Sequence, residues 1–171
     1  MSVKLDRINQ SILLSLQKDA RQPIASIAEN AGISTSPCQK RIKQLESQKV
    51  VSNCVANIDL SLICTSVTFL AEVTLQEHTA QAFRKFEKVI GREETLIECY
   101  QVSGSYDYFT RFICRDIEDY KAITDRLLAE SPIQSIQSHC VLSKVKRFSG
   151  YPLNYLLNDK FPPSEGEILD L

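Results

Sequence analysis

Apolar residues recur at three- and four-residue spacings in some stretches and alternate in others, and these switches of period predict the elements. Leu5, Ile8, Ile12 and Leu16, with Leu13 beside them, follow helical spacing behind Asp6, a good N-cap, and predict a first helix ending near Lys18. Pro23 suits a first helical position, where a missing N–H costs nothing. Ile24, Ile27, Ala28 and Ala31 then share a face until Gly32 stops the run. Ser34, Thr35 and Ser36 offer caps, Pro37 repeats the first-position signal, and Cys38, Ile42 and Leu45 face one side through about Gln48. The β-branched stretch Val50–Leu60 lacks helical period and predicts a strand and a connection.

From Val67 the period becomes two. Val67, Phe69, Ala71, Val73 and Leu75 alternate with polar residues as in a half-buried strand. Phe83, Phe86, Val89 and Ile90 predict a helix that Gly91 ends. Leu96–Val102 and Tyr108–Cys114 predict two strands joined across the turn-forming Ser103–Asp107. Asp116, with Asp119 three residues on, caps a helix that turns Tyr120, Ile123, Leu127 and Leu128 inward. Ile133–Val145 closes as a strand with Ile136, Ser138, Cys140 and Leu142 on one face. The expected fold class is α+β. A helix-turn-helix occupies residues 1–52, a linker strand 53–63, a ferredoxin-like β-α-β-β-α-β domain 64–147 and a tail 148–171. In the tail, Leu153, Tyr155, Leu156 and Leu157 offer a docking stretch, and the final eight residues are expected to be mobile. Helices on one side of the sheet leave the other needing a cover, and a second copy of the sheet supplies one, so a homodimer is expected.

Charge divides at the same place. The 171 residues carry a formal net charge of −1, but residues 1–60 hold eight Lys and Arg against five Asp and Glu, or +3, and the rest sums to −4. The face of the third helix opposite Ile42 and Leu45 carries Gln39, Lys40, Lys43 and Gln44, with Arg41 at its border and Ser34, Thr35 and Ser36 at its start. Such side chains read base edges in the major groove and hold phosphates, which makes double-stranded DNA the expected partner. The same face would equally serve as the solvated side of any three-helix unit.

No apolar run approaches the roughly 18 to 20 residues that span a bilayer, and the N-terminus lacks a signal pattern, so a cytoplasmic protein is expected. Six cysteines stand singly and are read as reduced and mostly buried. With only His78 and His139 beside them, no metal site and no cofactor is expected.

Several stretches resemble the Lrp/AsnC family of transcription factors. Leu5-Asp6-Arg7 to Leu16, Ala20-Arg21, Gly32-Ile33-Ser34, Ser36-Pro37-Cys38 and Arg41–Glu46 resemble its DNA-binding half. Glu98-Cys99-Tyr100, Val102-Ser103-Gly104, Tyr106-Asp107-Tyr108 and Val141–Lys146 resemble its effector domain. The resemblance implies a winged helix-turn-helix, dimers that assemble further, often as four in a ring, and an amino-acid effector held between dimers near the hairpin turn. It implies that Gly104 lets the backbone approach the ligand and that Asp107 pairs with an ammonium group, while Ser105 stands where one common pattern has Asp. A free amino acid needs N–H donors, an anion and a pocket wall, which Val102, Ser103, Gly104, Ser105, Tyr106 and Asp107, with Ile136 and Ser138, are expected to supply. The guessed effector is of the leucine or methionine class.

Two rivals follow from the same residues. One is an effector-independent regulator, or a sensor that has lost DNA binding. The other is an enzyme on this scaffold, as in relatives that decarboxylate modified tetrapyrroles. That chemistry asks for His or Arg lining a large cavity, and only His139 falls on a strand here.

Overall fold

The computed structural model describes residues 5–157, so the expectation for the last eight residues lies outside them. The chain forms two compact units, one of Met1–Ala56 with Lys146–Leu171 and the other of Asn57–Val145.

In the first unit, α1 (Arg7–Lys18), α2 (Ile24–Asn30) and α3 (Thr35–Ser47) enclose Ile12, Ile27, Ala28, Cys38 and Leu45. The Asp6 carboxylate caps α1 by accepting the Asn9 N–H at 2.7 Å. Pro23 stands at the N-cap of α2, one residue before the expected place. Pro37 is the third residue of α3 rather than the first, where its missing N–H is equally harmless because that turn has no acceptors. After α2, Gly32 takes φ +65° and the Ile33 N–H reaches the Ala28 carbonyl at 3.0 Å, a Schellman stop that turns the chain into α3. Lys49 (φ 61°) ends α3 in the same way, with the Val50 N–H on the Leu45 carbonyl at 2.9 Å.

The strand expected over Val50–Leu60 is not formed. The chain there runs without regular structure to a 3-10 turn at Leu60–Leu62, so the linker strand and the wing have no strand behind them among the described residues. Val55 and Ile58 are exposed, and β-branched residues favour a strand only where a neighbour pairs with it.

The start of the tail lies on α1. The Tyr151 N–H donates to Gln17 Oε1 and Gln17 Nε2 donates to the Tyr151 carbonyl, both at 2.8 Å, so one side-chain amide pairs with one peptide unit. Gln10 Nε2 also donates to Asn154 Oδ1 at 3.3 Å in α6 (Leu153–Leu157), where Tyr155 and Leu156 stay exposed. Gly150 takes φ +115°, and a Cβ there would sit 2.5 Å from the Gln17 side chain. The Gly150→Ala variant is therefore expected to weaken tail docking by about 1–3 kcal/mol. Trypsin should then cut faster at Lys146 and Arg147, whereas cleavage at the wild-type rate would show that the docking does not depend on this glycine.

The second unit has the topology expected for the ferredoxin-like arrangement. Strands β1 (Val67–Leu75), β2 (Leu96–Gln101), β3 (Tyr108–Cys114) and β4 (Ile133–Cys140) form an antiparallel sheet in the order β2-β3-β1-β4. Helices α4 (Ala80–Ile90) and α5 (Ile117–Glu130) supply Ala82 and Phe86, and Tyr120, Ile123 and Leu127, to one core with Phe69, Ala71, Val73, Leu75, Tyr108 and Phe112. Tyr120 stacks on Phe69 at 3.9 Å and meets Phe112 edge-on at 5.5 Å. The register shifts between Thr74 and Leu75, so Ile133 opposes Leu75 while Ile136 opposes Val73. This bulge lets two isoleucines three residues apart both face the core.

Of the six free cysteines, Cys38 and Cys114 are buried and Cys99 is half-buried, but Cys54, Cys64 and Cys140 are exposed, which corrects the expectation that most are buried. Burial pushes the Cys99 and Cys114 thiols up to about 11, keeping them protonated at neutral pH. Among the described residues no cluster of side chains has the makings of a metal site, and no helix is long and apolar enough to cross a membrane.

Candidate DNA-binding face and effector turn

Cys38 and Leu45 seat α3 against α1 and α2, which settles its rotation. Ser34, Thr35, Ser36, Gln39, Lys40, Lys43 and Gln44 are all exposed. At 100° per residue, Ser36, Gln39, Lys40 and Lys43 share the face opposite Cys38 and Leu45. Ser34 is the N-cap of α3 and makes no side-chain cap, so the first turn presents its N–H groups and the positive end of the helix dipole. Amides, ammonium groups and open N–H groups on one surface suit a polyanion with readable edges.

Arg41 is turned elsewhere. Its Nη1 donates to Asp6 Oδ2 at 2.6 Å and to Asn9 Oδ1 at 2.9 Å, tying α3 to the start of α1. The Asp6 carboxyl is partly desolvated, which opposes ionisation, but the Asn9 N–H and the Arg41 guanidinium outweigh this and hold it below the ordinary carboxylate range. Arg41 at the border of the face thus acts as a clamp within the unit. The residues that reveal it, Asp6 and Asn9, lie 35 and 32 positions away in sequence.

The turn between β2 and β3 is built on its last residue. Ser103, Gly104 and Ser105 are exposed, Val102 and Tyr106 are half-buried, and Asp107 is buried. Gly104 takes φ +139° with nothing within 4 Å of where a Cβ would stand, so glycine is needed for the backbone path and the space beside it is open. Asp107 is held on every side. Its N–H donates to the Val73 carbonyl and its carbonyl accepts the Val102 N–H, both at 2.9 Å. Its Oδ2 accepts the Leu75 N–H at 2.8 Å, and its Oδ1 lies 3.0 Å from His78 Nε2. Asp107 is therefore a turn carboxylate whose two oxygens both have partners within the fold, as burial of a polar group requires. Beside it, burial and the bond to the Glu87 carboxylate at 3.0 Å push the Tyr108 hydroxyl far above the ordinary tyrosine range.

Ile136 and Ser138 do not gather at this turn. Both lie on β4, with β1 and β3 between them and β2. Ile136 packs against the core, and the Ser138 hydroxyl hydrogen-bonds Tyr120 at 2.6 Å on the helix-covered face. His78, weighed in the sequence only as a metal ligand, was not placed at this turn. Its signal appears once the register is known: antiparallel pairing of Val73 with Tyr108 brings the loop after β1 to the start of β3.

A helix-turn-helix with an exposed cationic helix, joined to an α+β domain, defines a DNA-binding regulator with a separate ligand-binding part. Residues 5–46 match the AsnC-type helix-turn-helix domain, and residues 68–151 match the Lrp/AsnC ligand binding domain. An AsnC family transcriptional regulator from Agrobacterium tumefaciens is 31% identical with a TM-score of 0.81, the match covering 90% of this chain and all of that one. A transcriptional regulator from Neisseria meningitidis, solved as its L-Met complex, is 26% identical with a TM-score of 0.82 and the same coverage. The leucine-responsive regulatory proteins of Klebsiella pneumoniae and Escherichia coli are 28% identical over 144 residues, covering 84% of this chain and 88% of each of theirs. The chain belongs to the Lrp/AsnC family and is a transcriptional regulator rather than an enzyme.

Proposed function

We propose that this regulator binds near-palindromic DNA as a dimer and that a free amino acid, of the methionine or leucine class, alters its assembly or its DNA affinity. The exposed face of α3, seated by Cys38 and Leu45, carries this reading. Ser34, Thr35 and Ser36 would hold phosphates while Gln39, Lys40, Lys43 and Gln44 reach bases or phosphates, with Arg41 supporting from behind. In this reading residues 1–52 are the DNA reader, 53–63 the linker, 64–147 the effector and assembly domain and 148–171 the tail. The protein works in the cytoplasm.

The effector would sit at Val102–Asp107, where an exposed turn adjoins open space at Gly104. Ile136 and Ser138, facing the helices, support it only from within the sheet. The L-Met complex of the Neisseria meningitidis regulator supports an amino-acid ligand. The dimer would form on the sheet face away from the helices, where Leu70, Phe109 and Ile113 surround the Arg111–Glu98 ion pair (2.5 Å). A ligand shared between dimers would favour the larger assembly, an octamer, because it adds affinity to that state alone. Light scattering with and without L-methionine and L-leucine is expected to show a shift between dimer and larger assembly. If none of the twenty amino acids changes either assembly or DNA binding, the regulator is effector-independent.

A further inference from the structure

The two oxygens of the Asp107 carboxylate are held by partners of opposite character. Oδ2 accepts a backbone N–H from Leu75, a fully buried residue at the end of β1, and cannot be released without opening the sheet. Oδ1 lies 3.0 Å from His78 Nε2, a polar contact with a side chain that is 68% exposed against 11% for that of Asp107. His78 lies in the loop between β1 and α4, just before Thr79, whose hydroxyl caps α4 by accepting the Ala82 N–H at 3.2 Å. An imidazole in the open is displaced by rotation of its own side chain, at no cost to the core.

We infer that His78 is a built-in stand-in for the ammonium group of the effector: a bound amino acid takes Asp107 Oδ1 from the imidazole, leaving Oδ2 on the Leu75 N–H. The inference rests on the amino-acid reading above and supplies what that reading lacks, a carboxylate that has a partner within the fold and is still available to a ligand. An ammonium group brings a full charge and three donors where the imidazole brings one N–H, so the exchange favours ligands with a free α-amine. Released, His78 frees the loop that leads into the N-terminus of α4. The turn and a helix of the core thereby share one exchangeable polar contact, and ligand occupancy reaches α4 through it.

Calorimetric titration of the full-length protein tests this with L-methionine, L-leucine and N-acetyl-L-methionine, which lacks the ammonium group. His78→Ala removes the competitor and is expected to tighten binding of the free amino acids about threefold to tenfold, the range set by one polar contact. N-acetyl-L-methionine should show no such gain. In wild type, the Nε2 nitrogen resonance of His78 is expected to shift when L-methionine is added. Unchanged or weaker binding by the alanine variant overturns the exchange while leaving the amino-acid reading intact. Failure of both proteins to bind either free amino acid overturns the exchange together with its choice of ligand class.

Discussion

Replacing Lys40 and Lys43 together by glutamate is expected to abolish DNA binding at moderate salt while leaving the helix-turn-helix folded. Both side chains are exposed on the face of α3 opposite Cys38 and Leu45, so neither supports the core. Each lysine at a phosphate releases condensed counterions, and losing one weakens binding at all sequences and lowers the slope of log affinity against log salt by about 1. Two reversals per protomer, doubled in a dimer, replace four attractions by four repulsions. The comparison with Lys40→Gln/Lys43→Gln separates loss of contact from repulsion, because the glutamine pair should bind weakly with a shallower slope. Wild-type affinity in the glutamate variant, measured by fluorescence anisotropy across a salt series, would remove α3 from the DNA interface. Circular dichroism checks that the helices persist. Arg41→Ala should behave differently: it frees the Asp6 carboxylate and loosens α1 from α3, so its loss of affinity should come with a lower melting temperature.

Phe86→Ala is expected to cost about 3–5 kcal/mol, the usual range for an aromatic truncated in a packed core. The ring is 1% exposed and lies 4.5 Å from that of Tyr108, and it is the largest fully buried side chain on α4. The gap opens between that helix and β3, under the start of the strand where the β2–β3 turn ends. Urea unfolding followed by tyrosine absorbance should show a lower midpoint with little change in slope, and Phe86→Leu should recover most of the loss. A cost below about 1 kcal/mol would mean that α4 repacks to fill the space. The core of Ile12, Ile27, Cys38 and Leu45 is a separate cluster, so the helical unit should retain its own stability.

Where a pattern is local, the sequence was sufficient. Asp6 and Asp116 cap the helices that follow them through bonds spanning three residues. The alternation from Phe69 to Leu75 survives as the buried face of β1, and Gly32 makes the left-handed stop its position implied. The expectation failed where the deciding partner is distant or missing. Val50–Leu60 has strand composition but finds no strand to pair with. Lys49 ends α3 in a conformation that composition assigns to glycine. For the exposed cationic face of α3 the periodicity was enough, since the core-facing residues dictate which side remains.

The turn between β2 and β3 divides the two levels most clearly. Composition alone marked Ser103–Asp107 as a turn and Asp107 as its acidic member, because turn-forming residues act through their own backbone. That Asp107 is buried, that it holds the end of β1, and that it faces His78 were decided only when β1 and β3 paired, bringing together residues 32 positions apart at the Leu75 bond. Pairing of β4 with β1 turned Ile136 and Ser138 toward the helices, opposite Val73 and Ala71, and a one-residue bulge that no count of alternating residues reveals adds Ile133 to that face. The chain by itself thus determined the elements, their order and the charged face of α3, all products of short-range periodicity and capping. Tertiary structure decided which charges are spent inside the fold and which remain for a ligand, because a carboxylate or guanidinium finds its partner through space and not along the chain.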